Sequence, residues 1–305
     1  MKLLSHLNYV DVVAKTGSIR KAAEALHITS TALNRRILSL EEELGTQIFE
    51  RLPNGVRLNV AGELLIQHIR RSMSELSRVK SQIDDLSGIR TGHVAIASGA
   101  EVIGHFLPGH IARYRKEFPR VTFEILRRSP EQALSALADF TADLALIFGP
   151  LPAGEVQIIL SVELDVMASM AHSHPLASQK EIGLIDIAPY PVIMPTESSG
   201  LFSVIDAMLT RKGVVFPDPL FSESFEFMAH YCALEQAVGF QLSLGMGQPA
   251  IYHHHHLVPL RAAEAMTGRL HIVQRKGRVL SVAAAKFIEQ LTMSLNKHYP
   301  DQILG

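Results

Sequence analysis

The sequence predicts a chain in three parts: an α-rich N-terminal module closed by a β-hairpin, a long helix, and a C-terminal α/β body made of two subdomains. Three observations predict this. Residues 18–44 hold two helical runs about three residues apart. Residues 61–86 keep an apolar spacing that alternates four and three. From residue 93 onward, short β-branched runs alternate with helical ones. The 305 residues are too many for one small core, and 47% hydrophobic with 19% charged residues excludes a disordered chain.

Ser18 N-caps the first run, in which Ala22, Ala23 and Leu26 share a face. Small alanines there admit another helix at close range. Thr29 or Ser30 caps the second run, whose stripe is Leu33, Ile37, Leu40 and Leu44, and Gly45 stops it. Opposite the stripe lie Ser30, Thr31, Asn34, Arg35 and Leu38. This is the layout of a helix-turn-helix, although the turn lacks the usual glycine and two surface helices of a larger core would read alike. In the major groove Asn pairs bidentately with adenine and Arg with guanine. The whole chain carries a net charge of −1, which predicts no nucleic-acid partner. Residues 15–36 read differently: Lys15, Arg20, Lys21, Arg35 and Arg36 against Glu24 give a local +4.

The stretch QIFERLPNGVRLN reads as two short strands around Pro53-Asn54-Gly55, with Asn-Gly as the turn signal. A basic hairpin after a recognition helix is a wing, and Arg51 and Arg57 sit on it. The DNA-contacting candidates are therefore Ser18, Arg20, Lys21, Ser30, Thr31, Asn34, Arg35, Arg36, Arg51 and Arg57. Asn59 then caps a helix over 61–86, about 39 Å long at ~1.5 Å per residue. Its seam is Leu65, Ile69, Ser72, Leu76, Val79, Ile83 and Leu86, flanked by Arg70, Arg71, Arg78 and Lys80. A narrow seam on so long a helix predicts pairing with a second copy, which sets two recognition helices on successive turns of DNA. A homodimer is expected, with a homotetramer left open.

Cys232 is the lone cysteine, so no intrachain disulfide can form. His6, Asn8 and Asp11 interrupt what would be the apolar core of a signal peptide, and no apolar run reaches the ~18 residues of a membrane span. A cytoplasmic, membrane-free location is the expectation.

After a short hinge at 88–92, HVAIAS is strand-like and a helical run follows to Phe118. VTFEIL is a strand, SPEQALSALADF a helix and ADLALIF an apolar strand of the kind buried in parallel sheets. A second set starts near 162 with ELDVMAS, a helix near 199–212 and a helix near 224–238. GRLHIVQR and a last helix to about Lys297 close the chain. Ligands of open α/β sheets sit beyond strand C-termini, against helix N-termini. Ser98-Gly99-Ala100, Ser129-Pro130-Glu131 and Thr196-Glu197-Ser198-Ser199-Gly200 hold such positions, although each hydroxyl would also serve as a plain helix cap.

The run AAEALHITSTALNRRILSLEEELGTQIFERLPNGVRLNVAGELL resembles the N-terminal domain of LysR-type transcriptional regulators. The shared frame is AA-x2-L, a Thr-led helix, LE-x2-LG-x2-[LI]F-x-R and GV-x-L-x3-AG. Asn34 stands where the family usually has Ser, Arg36 where it often has Gln, and Asn59 where Thr precedes the linker helix. The resemblance implies a C-terminal effector domain like a type 2 periplasmic binding protein, with two lobes around a cleft. It also implies effector-binding roles for Ser98, Gly99, Ser129, Thr196 and Ser199, with Phe148 at the crossover. Ala100, Glu101 and Ser198 join the candidate set as neighbours in the same segments. The family's GxG-x4-P element appears as Gly239-Phe240-Gln241 with no proline before Pro249.

Glu101 and Glu197 lead to one expectation about the effector: two fixed carboxylates disfavour a dicarboxylate and better tolerate a cation, zwitterion or neutral compound, although both would also serve as solvent-facing complements of the helix dipoles. The run Tyr252–His256 reads as a surface loop rather than a metal site, because consecutive histidines splay apart. His172 and His174 have no companion in sequence to complete a set. Cys232 reads as a small buried hydrophobe, with redox sensing as the alternative, and Glu41, Glu42 and Glu43 as a solvated face. No HExxH, P-loop, G-x-S-x-G or strand-borne GxGxxG is present, so neither cofactor, metal nor catalytic residue is expected. The parts read as a winged helix-turn-helix over 1–60, a dimerising linker helix over 61–87, a hinge over 88–92 and an effector domain over 93–305. Its first lobe takes 93–161 with 267–305 and its second 162–266. The whole reads as an operator-binding transcriptional regulator controlled by a small molecule. The rival readings are a solute-binding protein or an α/β enzyme with a helical dimerisation arm.

Overall fold

The structure is a computed structural model that describes residues 2–86, 90–104, 106–244, 255–300 and 303–304. It falls into two compact units, Met1–Lys80 and Ser81–Gly305.

In the first unit α1 (Lys2–Thr16), α2 (Ile19–Ala25) and α3 (Ser30–Leu44) precede the hairpin strands β1 (Phe49–Leu52) and β2 (Gly55–Leu58). The long helix α4 (Val60–Leu86) begins there. Helix α1 goes unread in the sequence because polar residues interrupt its apolar face. Its Val10 and Val13 are buried nonetheless, and so is Asp11, whose carboxylate binds Lys15 at 2.9 Å and Arg70 at 2.7 Å. Arg70, expected beside the seam, thereby ties α4 to α1. Ser18 caps α2 by accepting the Lys21 N–H at 3.4 Å, and Thr29 caps α3 by accepting the Ala32 N–H at 3.2 Å. In place of the missing turn glycine, His27 itself takes φ +55, at a cost of about 1 kcal/mol for a residue with a Cβ.

The hairpin turn is Pro53-Asn54, with Leu52 opposite Gly55, so the sequence signal Asn54-Gly55 is displaced by one residue. The reason is a close backbone approach. Gly55 adopts φ +145, and a Cβ there would lie 2.2 Å from the Gly17 carbonyl oxygen. That oxygen accepts the Val56 N–H at 2.9 Å and anchors the hairpin to the end of α1. Asn59 caps α4 as expected, accepting the Gly62 N–H at 2.9 Å. The apolar seam of α4 divides in two. Ile66 and Ile69 join Val10, Val13, Leu33, Ile37 and Ile48 in the core of the unit. Leu76, Val79, Ile83 and Leu86 are exposed.

In the second unit β3 (Gly92–Ser98), α5 (Ala100–Ile103), α6 (Leu107–Glu117), β4 (Val121–Arg127), α7 (Pro130–Ala138), β5 (Leu144–Phe148) and β6 (Val156–Ala171) come first. Next are α8 (Leu184–Ile187), β7 (Ile193–Pro195), α9 (Gly200–Lys212), β8 (Leu220–Ser222), α10 (Phe225–Glu235), β9 (Gly239–Leu242) and β10 (His255–Pro259). The last are β11 (Thr267–Arg275), α11 (Val282–His298) and β12 (Ile303–Leu304). The single run expected up to Phe118 is thus two helices, α5 and α6.

Strands β4, β3 and β5 are parallel, as their apolar runs predict. Strand β11 pairs antiparallel with both β5 and β6, which makes the sheet mixed. It returns from the second subdomain and enters from the opposite end. Strand β6 is 16 residues long. Its first half pairs β11 and its second half pairs β9 and β10, so one strand serves both subdomains. The lobe boundary read at 161/162 falls inside it. Helix α7 covers one face of the sheet with Ala133, Ala136 and Leu137 on Ala97, Ala145 and Ile147. On the other face Tyr114 of α6 and Phe287 of α11 meet edge-on at 5.4 Å. Both faces are therefore sealed, and the polar strand ends are left to form a site.

Candidate functional site

In the first unit, α3 presents Ser30, Thr31 and Arg35 to solvent, and Arg20 and Lys21 of α2 are exposed with them. Among the described residues no hydrogen bond or ion pair engages the side chain of Arg35, Arg20 or Lys21. Five candidates sit otherwise. Ser18 is engaged in capping α2. Arg36 turns into the unit, where its guanidinium lies over the Tyr9 ring at 4.7 Å and donates to the Tyr9 hydroxyl. Its neighbour in the helix, Arg35, stays outside because successive residues are rotated by about 100°. Asn34 is half-buried, and its Oδ1 accepts from Nη2 of the wing residue Arg51 at 2.8 Å. That bond leaves the Asn34 amide free to donate and fixes the wing against α3. Arg57, also on the wing, is paired to Glu50 at 2.7 Å. Of the three glutamates read as solvated, Glu41 is not: its carboxylate accepts the Ile48 N–H at 2.8 Å and the Phe49 N–H at 3.2 Å, fastening the hairpin to α3.

In the second unit, the ends of β3, β4 and β7 and the starts of α5, α7, α9 and α10 enclose a cleft of about 290 Å³. It is lined by seven of the predicted residues: Gly99, Ala100, Glu101, Ser129, Thr196, Ser198 and Ser199. Two others are corrected. Ser98 is fully buried and its hydroxyl donates to the Leu146 carbonyl at 3.0 Å inside the sheet. Phe148 is also buried, and its ring occupies the space over Gly268.

The carboxylate expectation is also corrected. Glu197 is exposed and does not line the cleft. Glu101 does line it, but burial pushes its carboxyl above the usual carboxylate range, against the opposing effects of its own N–H and the Ser199 hydroxyl. The cleft instead holds two arginines that sequence reasoning missed, Arg127 and Arg128. Their signal was the strand-end pair in ILRRSPEQ. Arg127 meets Glu223 at 3.3 Å, and Arg128 donates to the Arg127 carbonyl at 2.9 Å. Ser129 caps α7 in a reciprocal capping box with Gln132, and Thr196 and Ser198 share a hydrogen bond of 2.9 Å. Glu223 lines the cleft as well and engages Arg127, so Arg128 beside the N-termini of α7 and α9 is the charge that favours a negative guest.

Family models match both units. The bacterial regulatory helix-turn-helix protein, lysR family, matches residues 4–63, and the LysR substrate binding domain matches residues 87–296. The chain belongs to the LysR family of transcriptional regulators. Among curated LysR-type relatives, the uncharacterized HTH-type transcriptional regulator YbhD of Escherichia coli is 26% identical over 94% of this chain and 90% of its own length. A full-length OxyR variant from Pseudomonas aeruginosa shares the fold with a TM-score of 0.69 at 18% identity, over 96% of this chain and 94% of that one. Full-length CbnR, solved in complex with its target DNA, has a TM-score of 0.65 at 17% identity, over 95% and 99% of the two chains. Similar proteins are regulators rather than enzymes, and this LysR regulator is a DNA-binding protein with an effector-type domain.

Other sequence features of the LysR chain resolve simply. Cys232 is buried in α10 and burial pushes its thiol up to about 12, which suppresses the reactive thiolate. In the histidine run, residues 252–254 lie outside the described residues, as do Pro249, Gly88 and Ile89 of the loop and hinge readings. His255 and His256 open β10, and the His256 ring lies 5.4 Å from that of His172. His174 is buried, and its ring bridges the Gln236 carbonyl and the Leu176 N–H at 3.0 and 3.1 Å. No described group of His, Cys, Asp and Glu is arranged to hold a metal ion, and no described helix is long and apolar enough to cross a membrane.

Proposed function

We propose that this regulator works in the cytoplasm as a homodimer, or a pair of dimers, that sets two copies of α3 into successive major grooves of a dyad operator. The units divide as a winged helix-turn-helix over 1–60, a pairing helix over 61–87, a hinge over 88–92 and an effector domain over 93–305. In the cleft a small anion held by Arg128 and the start of α7 biases the arrangement of the DNA-binding heads. The anion must bind one arrangement better than the other to switch anything. The observation that carries this reading is the exposed face of α3, where Arg35 lacks a protein partner among the described residues beside an Asn34–Arg51 pair that holds the wing in place.

The test compares two single substitutions on a specific and a random duplex. Arg35→Ala is expected to cost about 1–3 kcal/mol on the operator and little on random DNA, because a base contact is lost. Lys21→Ala is expected to weaken both duplexes alike and to lower the salt dependence by about one counterion. Equal losses on both duplexes for Arg35→Ala would remove base reading from that residue.

A further inference from the structure

We propose that the cleft selects an anion that also carries a hydrogen-bond donor, with Glu101 accepting from that donor while Arg128 meets the negative charge. The inference rests on the cleft being the effector site. Glu101 is 5% exposed and yet lines the cavity. Its carboxylate lies folded over Gly99, where a Cβ would come within 2.4 Å of Oε1 and 2.5 Å of Oε2. Only the missing side chain of residue 99 lets the carboxylate sit there.

Across the cleft, the Ser199 hydroxyl donates to Glu101 Oε2 at 3.4 Å, a long bond for two oxygens. The same hydroxyl accepts the Leu201 N–H at 3.2 Å as the cap of α9. A carboxylate offers about four acceptor positions. Among the described residues one long bond and a bond from its own N–H leave Glu101 with unused acceptor capacity facing the cleft. Arg127 on the same wall is engaged by Glu223, whereas the Arg128 side chain donates to a backbone carbonyl and meets no carboxylate among the described residues. The cavity therefore pairs an available guanidinium with a buried, under-satisfied carboxyl.

In its ionised form Glu101 sets its own lone pairs against a guest that offers lone pairs alone. An O–H or N–H on the guest converts that repulsion into a charge-assisted hydrogen bond. Hydroxy acids, amino acids and protonated oxyanions meet the requirement; simple carboxylates and sulfate do not.

Inorganic phosphate and sulfate test this directly. At about pH 8 both are dianions of similar size, but phosphate keeps one O–H. Calorimetry on the full chain is expected to show phosphate binding ~10-fold or more tighter than sulfate, because an unmet hydrogen bond to a charged group costs about that much. Glycolate against acetate is the parallel pair, and a preference in one pair only identifies the guest as phosphate-like or carboxylate-like. Glu101→Gln, whose amide can donate, is expected to strengthen sulfate binding and erase the preference. Gly99→Ala, which pushes the carboxylate aside, is expected to narrow it. Equal binding within both pairs, lost in Arg128→Ala, overturns the donor requirement and keeps the anion site. Absence of binding by all four anions overturns both.

Discussion

Gly200→Ala is expected to disorder the α/β unit and leave the helical unit folded. Gly200 is the first residue of α9, and a Cβ built on it would stand 1.7 Å from the carbonyl oxygen of Phe148. The obstacle is backbone, so no rotamer change relieves it. Gly149 returns the same contact, since its own Cβ would lie 2.8 Å from the Gly200 carbonyl oxygen, and it holds φ +91. Two glycines thus let the start of α9 lie against the chain as it leaves β5. Interiors packed at crystal density yield little, so α9 must move away by more than an ångström or the strand must shift. Either costs about 4 kcal/mol or more, the range reached only by a few severe mechanisms. The same move would carry Ser199 out of the cleft and take the inter-lobe bond to Glu101 with it. Hydrogen exchange read by segment is the suitable measurement. Amides of β3 and β5 are expected to lose protection, while those of α2 and α3 keep theirs. Unchanged protection in β5 and α9 would mean that the close approach is not maintained in solution.

Much of this architecture is legible in the residues, and the failures share a cause. Helix α3 could be read because its stripe, its Thr29 cap and its Gly45 stop agree, and the structure keeps the cap, the stop and the stripe as far as Leu40, with Leu44 exposed. Helix α4 could be read for the same reason. Helix α1 could not, because Asp11 sits on its buried side and only the distant Arg70 explains it. Arg36 looked like a reader of bases until Tyr9 came into reach. In the cleft, the capping residues Ser129 and Ser199 announce themselves locally, whereas the burial of Glu101 and the approach of Glu223 to Arg127 depend on chain brought together over about a hundred residues. The sequence pattern reports what a segment does with its neighbours in the chain. Charge in a pocket is set by partners that the pattern does not contain, which is why the expected guest changed sign.

Ile83→Glu is expected to break the proposed pairing of this regulator and, with it, binding to a two-half-site operator. The apolar seam of α4 is 27 residues of continuous helix with two environments. In its first half Ile69 is buried in the core of the N-terminal unit beside Ile66, and Leu65 is half-buried against that core. In its second half Leu76, Val79, Ile83 and Leu86 recur at the same spacing, yet Ile83 is 58% exposed and Leu86 90%. Isolated exposed apolar residues are ordinary, but four in register on one helix face are not. A glutamate at 83 would bury charge in place of apolar area in a parallel or an antiparallel seam. Linked half-sites gain from a high effective concentration, so separating the protomers is expected to cost ~100-fold or more on the full operator and nothing on a single half-site. Sedimentation and titration of both duplexes read the two effects separately. Val215→Glu is the control, an equally apolar position 83% exposed outside the helix, and it is expected to leave assembly intact. A dimer that survives Ile83→Glu would move the pairing surface off α4, and the operator geometry proposed for α3 would have to be rebuilt on whichever surface replaced it.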